Sequence, residues 1–322
     1  MPFSHLKAYN VAQHTILITT CTNRKRALVP PSLQASSLDQ GPQDDVFREW
    51  RTRLAQNPSV DKASSIYCGR AFREAVKASE ELSAPLRIIS AGLGLLLEEQ
   101  EIPAYSLTIN PSGPDSILKK VQGDRFSPGR WWEEINLLRG SSRPISRLVE
   151  DNPNALLLIA FSQSYARLVQ ADLLSLSDQH LRRVRLIGLA LKPVLDPRLQ
   201  DLVMPYDERF DGPDGSNVGT RSDFAQRAMR HFATVLLPDS RRNDPQLHAR
   251  LVMEFLSART YRAIPVRKRL SDQEIIDLII HDWPICGGNC SNMLRAIRQH
   301  GVACEQSRFQ KLYKSAKSEI QA

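Results

Sequence analysis

The chain has no apolar run long enough to cross a membrane. Its five cysteines fall at irregular spacings, and the odd count excludes a complete disulfide framework. It carries neither G-x-x-x-x-G-K-[ST] nor G-x-G-x-x-G, which argues against a nucleotide cofactor; no cofactor is expected. A G-x-S-x-G elbow and an H-E-x-x-H helix are absent too, so serine and zinc hydrolysis lack their usual supports. There are no internal repeats. The first residues, MPFSHLKAYNVAQ, lack a charged-then-apolar leader pattern. These absences predict a cytoplasmic protein with reduced thiols and no membrane association.

Acidic residues are the scarcer charge, 35 against 43 basic ones, for a net charge of +8. The imbalance lies at one end. Residues 241–322 hold 14 Lys and Arg against 8 Asp and Glu, whereas residues 1–240 hold 29 against 27. A nearly neutral body with a basic tail suggests a polyanionic partner, nucleic acid first among them. A merely solubilising surface is the alternative.

Short apolar runs predict strands at Thr15–Thr19, Leu86–Ser90, Leu156–Phe161 and Val184–Leu189. Amphipathic segments between them predict helices at Val46–Gln56, Gly69–Leu82, Trp131–Leu138 and Ser162–Leu174. This alternation predicts an α/β domain around a mostly parallel sheet. Polar or Pro/Gly-rich loops follow at Pro30–Asp45, Pro111–Gly129 and Asp207–Arg221, the last ending at Ser222-Asp223, which can cap a helix over Phe224–Leu236. Composition turns linker-like near Pro238–Pro245. Beyond it only helices are read, at Pro245–Thr260, Ser271–Asp282, Cys290–His300 and Glu305–Glu319. The predicted domains are therefore residues 1–240 and a basic all-α module over 241–322. Its last helices have a helix-turn-helix layout, with Gln306, Arg308, Lys311 and Lys314 offered to DNA. Cys286, Cys290, Cys304, His281 and His300 lack a clean second ligand pair, so no metal is expected.

Ligands of an open α/β sheet bind beyond the carboxyl ends of its strands. The segment after the first strand, Cys21-Thr22-Asn23-Arg24-Lys25-Arg26, places hydroxyl, amide and cationic groups there. Three other segments are expected to converge with it: Ser90-Ala91-Gly92-Leu93-Gly94, Phe161-Ser162-Gln163-Ser164-Tyr165, and the loop Asp207–Arg221. Gly92 would admit close backbone approach, and Ser162 would open a helix N-terminus suited to anions. Arg70 and Tyr105 are candidates to close the pocket, Tyr105 by stacking on a planar base; core packing is its alternative. The inventory is hydroxyls, amides, cations and a few Asp. It suits a phosphate-bearing substrate and N-glycosidic cleavage through an oxocarbenium-like sugar.

The ordered series CTNRKR, YCGRAFREA, RIISAGLGLL, IPAYSLTI and LLLIAFSQSYARL, over about residues 12–236, resembles uracil-DNA-glycosylase-like domains of a divergent branch. That branch includes the accessory domain of archaeal tRNA-guanine transglycosylases and anti-phage glycosylases that remove glucosylated hydroxymethylcytosine from phage DNA. The resemblance implies a three-layer α/β/α sandwich, double-stranded DNA with modified bases as partner, and a flipped-out base. The G-x-D-P-Y and H-P-S motifs of standard uracil-DNA glycosylases are missing. Asn23 lies nearest the first motif's place and is one candidate to orient the water; Asp207 and Asp211 are its rivals. Lys25 is a candidate Schiff-base nucleophile or phosphate ligand. The expectation is thus a DNA glycosylase, with a non-catalytic helix-turn-helix regulator or a tRNA base-modifying relative as alternatives.

Overall fold

The computed structural model describes residues 14–123, 125–213, 218–238, 243–261 and 267–321. The segment read as a leader-free N-terminus and part of the linker Pro238–Pro245 lie outside them. The chain forms two compact units, Met1–Tyr261 and Arg262–Ala322. None of the described helices is long and apolar enough to cross a membrane.

Five strands build the sheet of the first unit. They are β1 (Thr15–Thr20), β2 (Leu86–Ser90), β3 (Gly94–Leu97), β4 (Leu156–Ala160) and β5 (Val184–Ile187). Their spatial order is β3-β2-β1-β4-β5. β1 pairs parallel with β2 and with β4, and β4 parallel with β5; β3 alone runs antiparallel, against β2. The chain leaves β1 towards β2 and β3, then returns to β4 on the other side of β1. The topological switch point, where α/β sheets open a crevice, therefore lies between the ends of β1 and β4.

Alternation along the strands feeds two cores. Ile16, Ile18, Leu157 and Ile159 pack with α1 (Gln43–Gln56), α3 (Pro128–Leu137) and α5 (Gln163–Leu174). Leu17, Leu156 and Leu158 pack with α2 (Arg70–Leu82), α6 (Phe224–His231) and α7 (Pro245–Ser257). Helices thus cover both faces of the sheet, as in an α/β/α sandwich. One buried carboxylate fixes α5: Asp172 accepts from Trp132 Nε1 at 3.0 Å and from the backbone N–H groups of Ile145 and Ser146 at 3.0 and 2.9 Å. Those amides belong to the first turn of α4 (Pro144–Asp151), where a negative charge is favoured.

Helix α7 belongs to this unit and not to the basic module, so the division falls after Tyr261 rather than at residue 240. Val252 and Leu256 are wholly buried in its core, a contribution of about 2 kcal/mol each. Arg185, fully buried on β5, donates from Nε to His248 Nδ1 at 2.8 Å and from Nη2 to Asn243 Oδ1 at 2.7 Å. Burial pushes its pKa down to about 9.

His231, at the end of α6, lies 4.0 Å ring to ring from Phe255 of α7 and shares a 2.7 Å hydrogen bond with Tyr206. Burial, with Arg259 nearby, pushes its pKa down to about 4. The unfolded chain binds this proton below about pH 6.5 and the folded chain only below about 4, so stability falls as pH drops between them. Wild-type protein should lose about 2 kcal/mol from this group between pH 7 and 5, and His231→Gln should remove that component. Urea midpoints at the two pH values measure it; an unchanged pH dependence in the variant would refute the assignment.

The second unit contains α8 (Asp272–Cys286), α9 (Cys290–Gln299) and α10 (Gln306–Gln321). Ser271 and Glu274 form a full capping box on α8. Ile275, Ile279, Met293, Ile297 and Phe309 make the core. The unit is not purely helical: Lys268–Arg269 pairs parallel with Val302–Ala303.

Candidate functional site

A cavity of about 750 Å³ opens at the switch point. Its walls come from the loop after β1 (Thr20 to Arg24), the start of α2 (Cys68 to Ala71), the start of α5 (Phe161 to Tyr165), the end of β5 (Leu189, Ala190) and the segment Thr220–Gln226. Of the residues singled out in the sequence, Cys21, Thr22, Asn23, Arg24, Arg70, Ser162 and Tyr165 meet here.

They divide by what their polar atoms already do. Cys21 Sγ lies 3.1 Å from the Tyr165 hydroxyl, whose pKa burial drives well above the ordinary tyrosine value. Thr22 Oγ1 is within donating reach of the Arg24 and Cys68 carbonyls, 2.9 and 2.8 Å away, and so ties the β1 loop to the start of α2. Ser162 is the N-cap of α5, and its side chain makes no capping bond. Asn23 and Arg24 are exposed on the wall, and no described residue hydrogen-bonds the Asn23 side chain. Opposite them, Gln163 Nε2 donates to Ala190 O at 2.7 Å. Ala190 holds a φ of +51°, unusual for a residue with a side chain.

The late wall is held by ion pairs. Arg227 is buried and donates from Nε to Asp223 Oδ1 at 2.6 Å and from Nη1 to Asp211 Oδ1 at 2.6 Å. Asp223 also accepts from Thr220 N and Oγ1, both at 2.9 Å, and its Oδ2 lies 3.4 Å from Arg70 Nε. Burial works to raise the Asp223 carboxyl, but the Arg227 and Thr220 hydrogen bonds outweigh it and hold the pKa below the ordinary value. Arg70 Nη2 also donates to Val218 O at 2.8 Å. A Cβ at Gly219 would collide with the Arg227 guanidinium, which explains glycine there.

Several expected site residues lie elsewhere. Ser90 and Tyr105 are fully buried and share a 2.5 Å hydrogen bond; Tyr105 also meets the Tyr67 hydroxyl at 2.7 Å. Tyr105 is therefore core and has no free face for a base. The Ser90–Gly94 turn is no phosphate cradle: it closes the β2–β3 hairpin, and its Ala91 and Gly92 carbonyls accept from the indoles of Trp131 and Trp50 at 2.7 and 2.8 Å. Gly92 is required because a Cβ would strike the Tyr105 ring. Lys25 turns off the cavity wall. Its Nζ donates to Thr22 O at 2.8 Å and sits 4.7 Å from the Tyr105 ring centre, where burial lowers its pKa. Neither role expected of Lys25 fits that position. Asp207 caps the short turn Glu208–Asp211 and pairs with Arg209 at 2.8 Å, away from the cavity. Burial there is outweighed by the Arg209 hydrogen bonds, and the Asp207 pKa is lowered. Asp211 is bound to Arg227 and does not line the cavity.

On α10, Gln306, Lys311 and Lys314 are exposed. Arg308 donates to Asp272 Oδ1 at 2.8 Å from Nε and to Leu270 O at 2.9 Å from Nη2, which ties α10 to the start of α8. Among the described residues no group of three or more His, Cys, Asp or Glu is placed to hold a metal.

Compared with known proteins, the chain matches no family model, no curated protein and no solved structure.

Two cavity residues escape the sequence reading. Asp223 reads as a helix cap, although its i,i+4 spacing to Arg227 signals an ion pair. Gln226, in the first turn of α6, gives no local signal at all.

Proposed function

We propose that the protein is a DNA glycosylase that flips a modified base out of the duplex and cleaves its N-glycosidic bond. The observation that carries this reading is the cavity at the switch point, with an unengaged amide, Asn23, on its wall. Of the three candidates for orienting water, Asn23 alone lies on it. The cavity's volume suits a whole base with a bulky substituent such as a glucosyl group, being well within the range of ligand pockets.

In this reading Asn23 Oδ1 accepts a hydrogen bond from a water and aims it at C1′. The C1′–N bond breaks with its electron pair leaving on the base, the water oxygen bonds C1′, and the water's proton passes to solvent or the departing base. Leaving-group departure runs ahead of attack, so positioning suffices where a strong base is missing. Arg24 and Arg70 take flanking phosphates, and Gln306, Lys311 and Lys314 grip duplex backbone. A role in defence against phages with modified DNA follows from the substrate.

Mass analysis of what the purified protein releases from modified and unmodified phage DNA tests the reading. Free modified base with matching abasic sites is expected. Sequence-specific duplex binding with no released base would favour the helix-turn-helix regulator, and release or exchange from tRNA alone the transglycosylase relative.

A further inference from the structure

We propose that a groove along β3, the outer strand of the sheet, docks a short acidic segment of a partner protein, with carboxylates on Arg87 and Arg139 and an apolar side chain between them. The inference is independent of the glycosylase reading, because the groove shares no lining residue with the switch-point cavity.

The groove has a volume of about 270 Å³ and lies between β3, the start of β2 and the α3–α4 connection. Leu95, Leu96 and Leu148 line it, and Leu97, also on its wall, is 49% exposed. Leu137 and Leu138, between the lining residues Asn136 and Arg139 in sequence, are 59% and 46% exposed. Exposed apolar surface gathered at one groove marks a protein-interaction site, whereas scattered leucines would not. The strand edge itself is closed. Leu95 N donates to Asn136 Oδ1 at 2.8 Å and Leu97 N to Gln100 Oε1 at 3.4 Å, so both N–H groups of β3 that face away from β2 are taken. An occupant therefore docks through side chains and not as an added strand. Asn136 is in turn fixed by donating from Nδ2 to Trp132 O at 2.7 Å, which keeps this wall preformed.

The two arginines supply the charge. Arg139 Nε donates to Leu93 O at 2.6 Å, and Arg87 Nη1 to Leu86 O at 3.2 Å. Among the described residues neither forms an ion pair, whereas Arg147, also on the groove, already meets Asp151 at 3.6 Å. Arg87 is half-buried, and burial lowers its pKa against the pull of Glu98. A guanidinium that has lost water without gaining a carboxylate is completed by one. Arg139 is tied to Leu93, just before β3, and Arg87 lies opposite Leu97, its last residue. Four residue steps of strand, about 13 Å, separate these anchor points. That spacing matches carboxylates at i and i+4 of an extended segment, with the side chain at i+2 on the same face and over the leucines. A nucleic-acid backbone would meet the arginines but offers the leucines nothing apolar. The chain's own first 13 residues contain neither Asp nor Glu, so they lack the charge to fill the groove.

The probe is the peptide Glu-Ser-Leu-Ser-Glu, acetylated and amidated at its ends, titrated into the full chain at low salt and followed by saturation-transfer NMR on the peptide protons. A Kd of about 1 mM or tighter is expected. Lys-Ser-Leu-Ser-Lys should not bind, and Glu-Ser-Ser-Ser-Glu should bind at least about tenfold more weakly, for want of the buried leucine. The double variant Arg87→Gln, Arg139→Gln should lose at least about tenfold in affinity for the first peptide. Leu97→Asp, at an exposed position, should repel that peptide and serves if the arginine variant folds poorly. Affinity for unmodified duplex DNA should be unchanged in both variants. No binding of the acidic peptide at about 5 mM, equal binding of the Glu and Lys peptides, or wild-type affinity in either folded variant would overturn the proposal. Loss of duplex affinity in the arginine variant would overturn it too, by assigning the groove to nucleic acid.

Discussion

Replacing Arg227 by Met is expected to lower the stability of the α/β unit by about 3–5 kcal/mol, the range for removing one partner of a buried ionic cluster. The guanidinium is 4% exposed and joins two carboxylates twelve residues apart in sequence, Asp211 and Asp223. It also donates to Thr220 O at 3.2 Å and lies over the Phe210 and Phe224 rings at 5.6 and 5.7 Å. Methionine would fill the space between the rings but would leave Asp223 nearly buried without its main partner. Arg227→Lys should not rescue the loss, because a single ammonium cannot span both acids as the planar fork does. The pH dependence has a definite sign. The Asp223 pKa is lowered in the fold, so its contribution is present above the unfolded value near 4 and is lost as pH falls through the folded one. The gap between wild type and variant should therefore be widest at neutral pH and narrow towards pH 3. Urea unfolding followed by circular dichroism reads this directly, and a deficit below about 1 kcal/mol at pH 7 would show that the network adds little.

That network marks the limit of what the sequence conveys. β1, β2, β4 and β5 are legible because each is a short apolar run with both faces buried, and such runs between amphipathic segments have few other solutions. The loop after β1 is legible for the same reason, since topology carries the strand end to the site. β3 is not, because Gly92 and Gly94 invite a phosphate-loop reading. What occupies the turn's carbonyls instead are two indoles about forty residues away, on α1 and α3. Helix α7 is misplaced in the sequence for a related cause: the buried Arg185 that fixes it would, in a linear reading, face water. Tyr105 and Asp207 illustrate the converse. Each has the right chemistry for a site, but Tyr105 is claimed by Ser90 and Tyr67, and Asp207 by Arg209.

Asn23→Ala should slow single-turnover base release at least a hundredfold, equivalent to about 2.7 kcal/mol in the barrier, while changing stability by less than about 0.5 kcal/mol. The two effects separate because the side chain is exposed on the cavity wall and, among the described residues, supports nothing else. A rate loss matched by a loss of stability would instead make it a structural residue. Asn23→Asp sharpens the test. It keeps an oxygen to accept from the water and adds a titratable base, so activity should persist and acquire an acidic limb near the ordinary aspartate pKa of about 4. Wild type should lack that limb, because an amide does not titrate. Asp207→Asn should leave the rate unchanged, since its carboxylate meets Arg209 outside the cavity. Asp211→Asn should act through stability, by removing a partner of Arg227. A rate collapse in Asp207→Asn with full activity in Asn23→Ala would move the chemistry out of the switch-point cavity altogether.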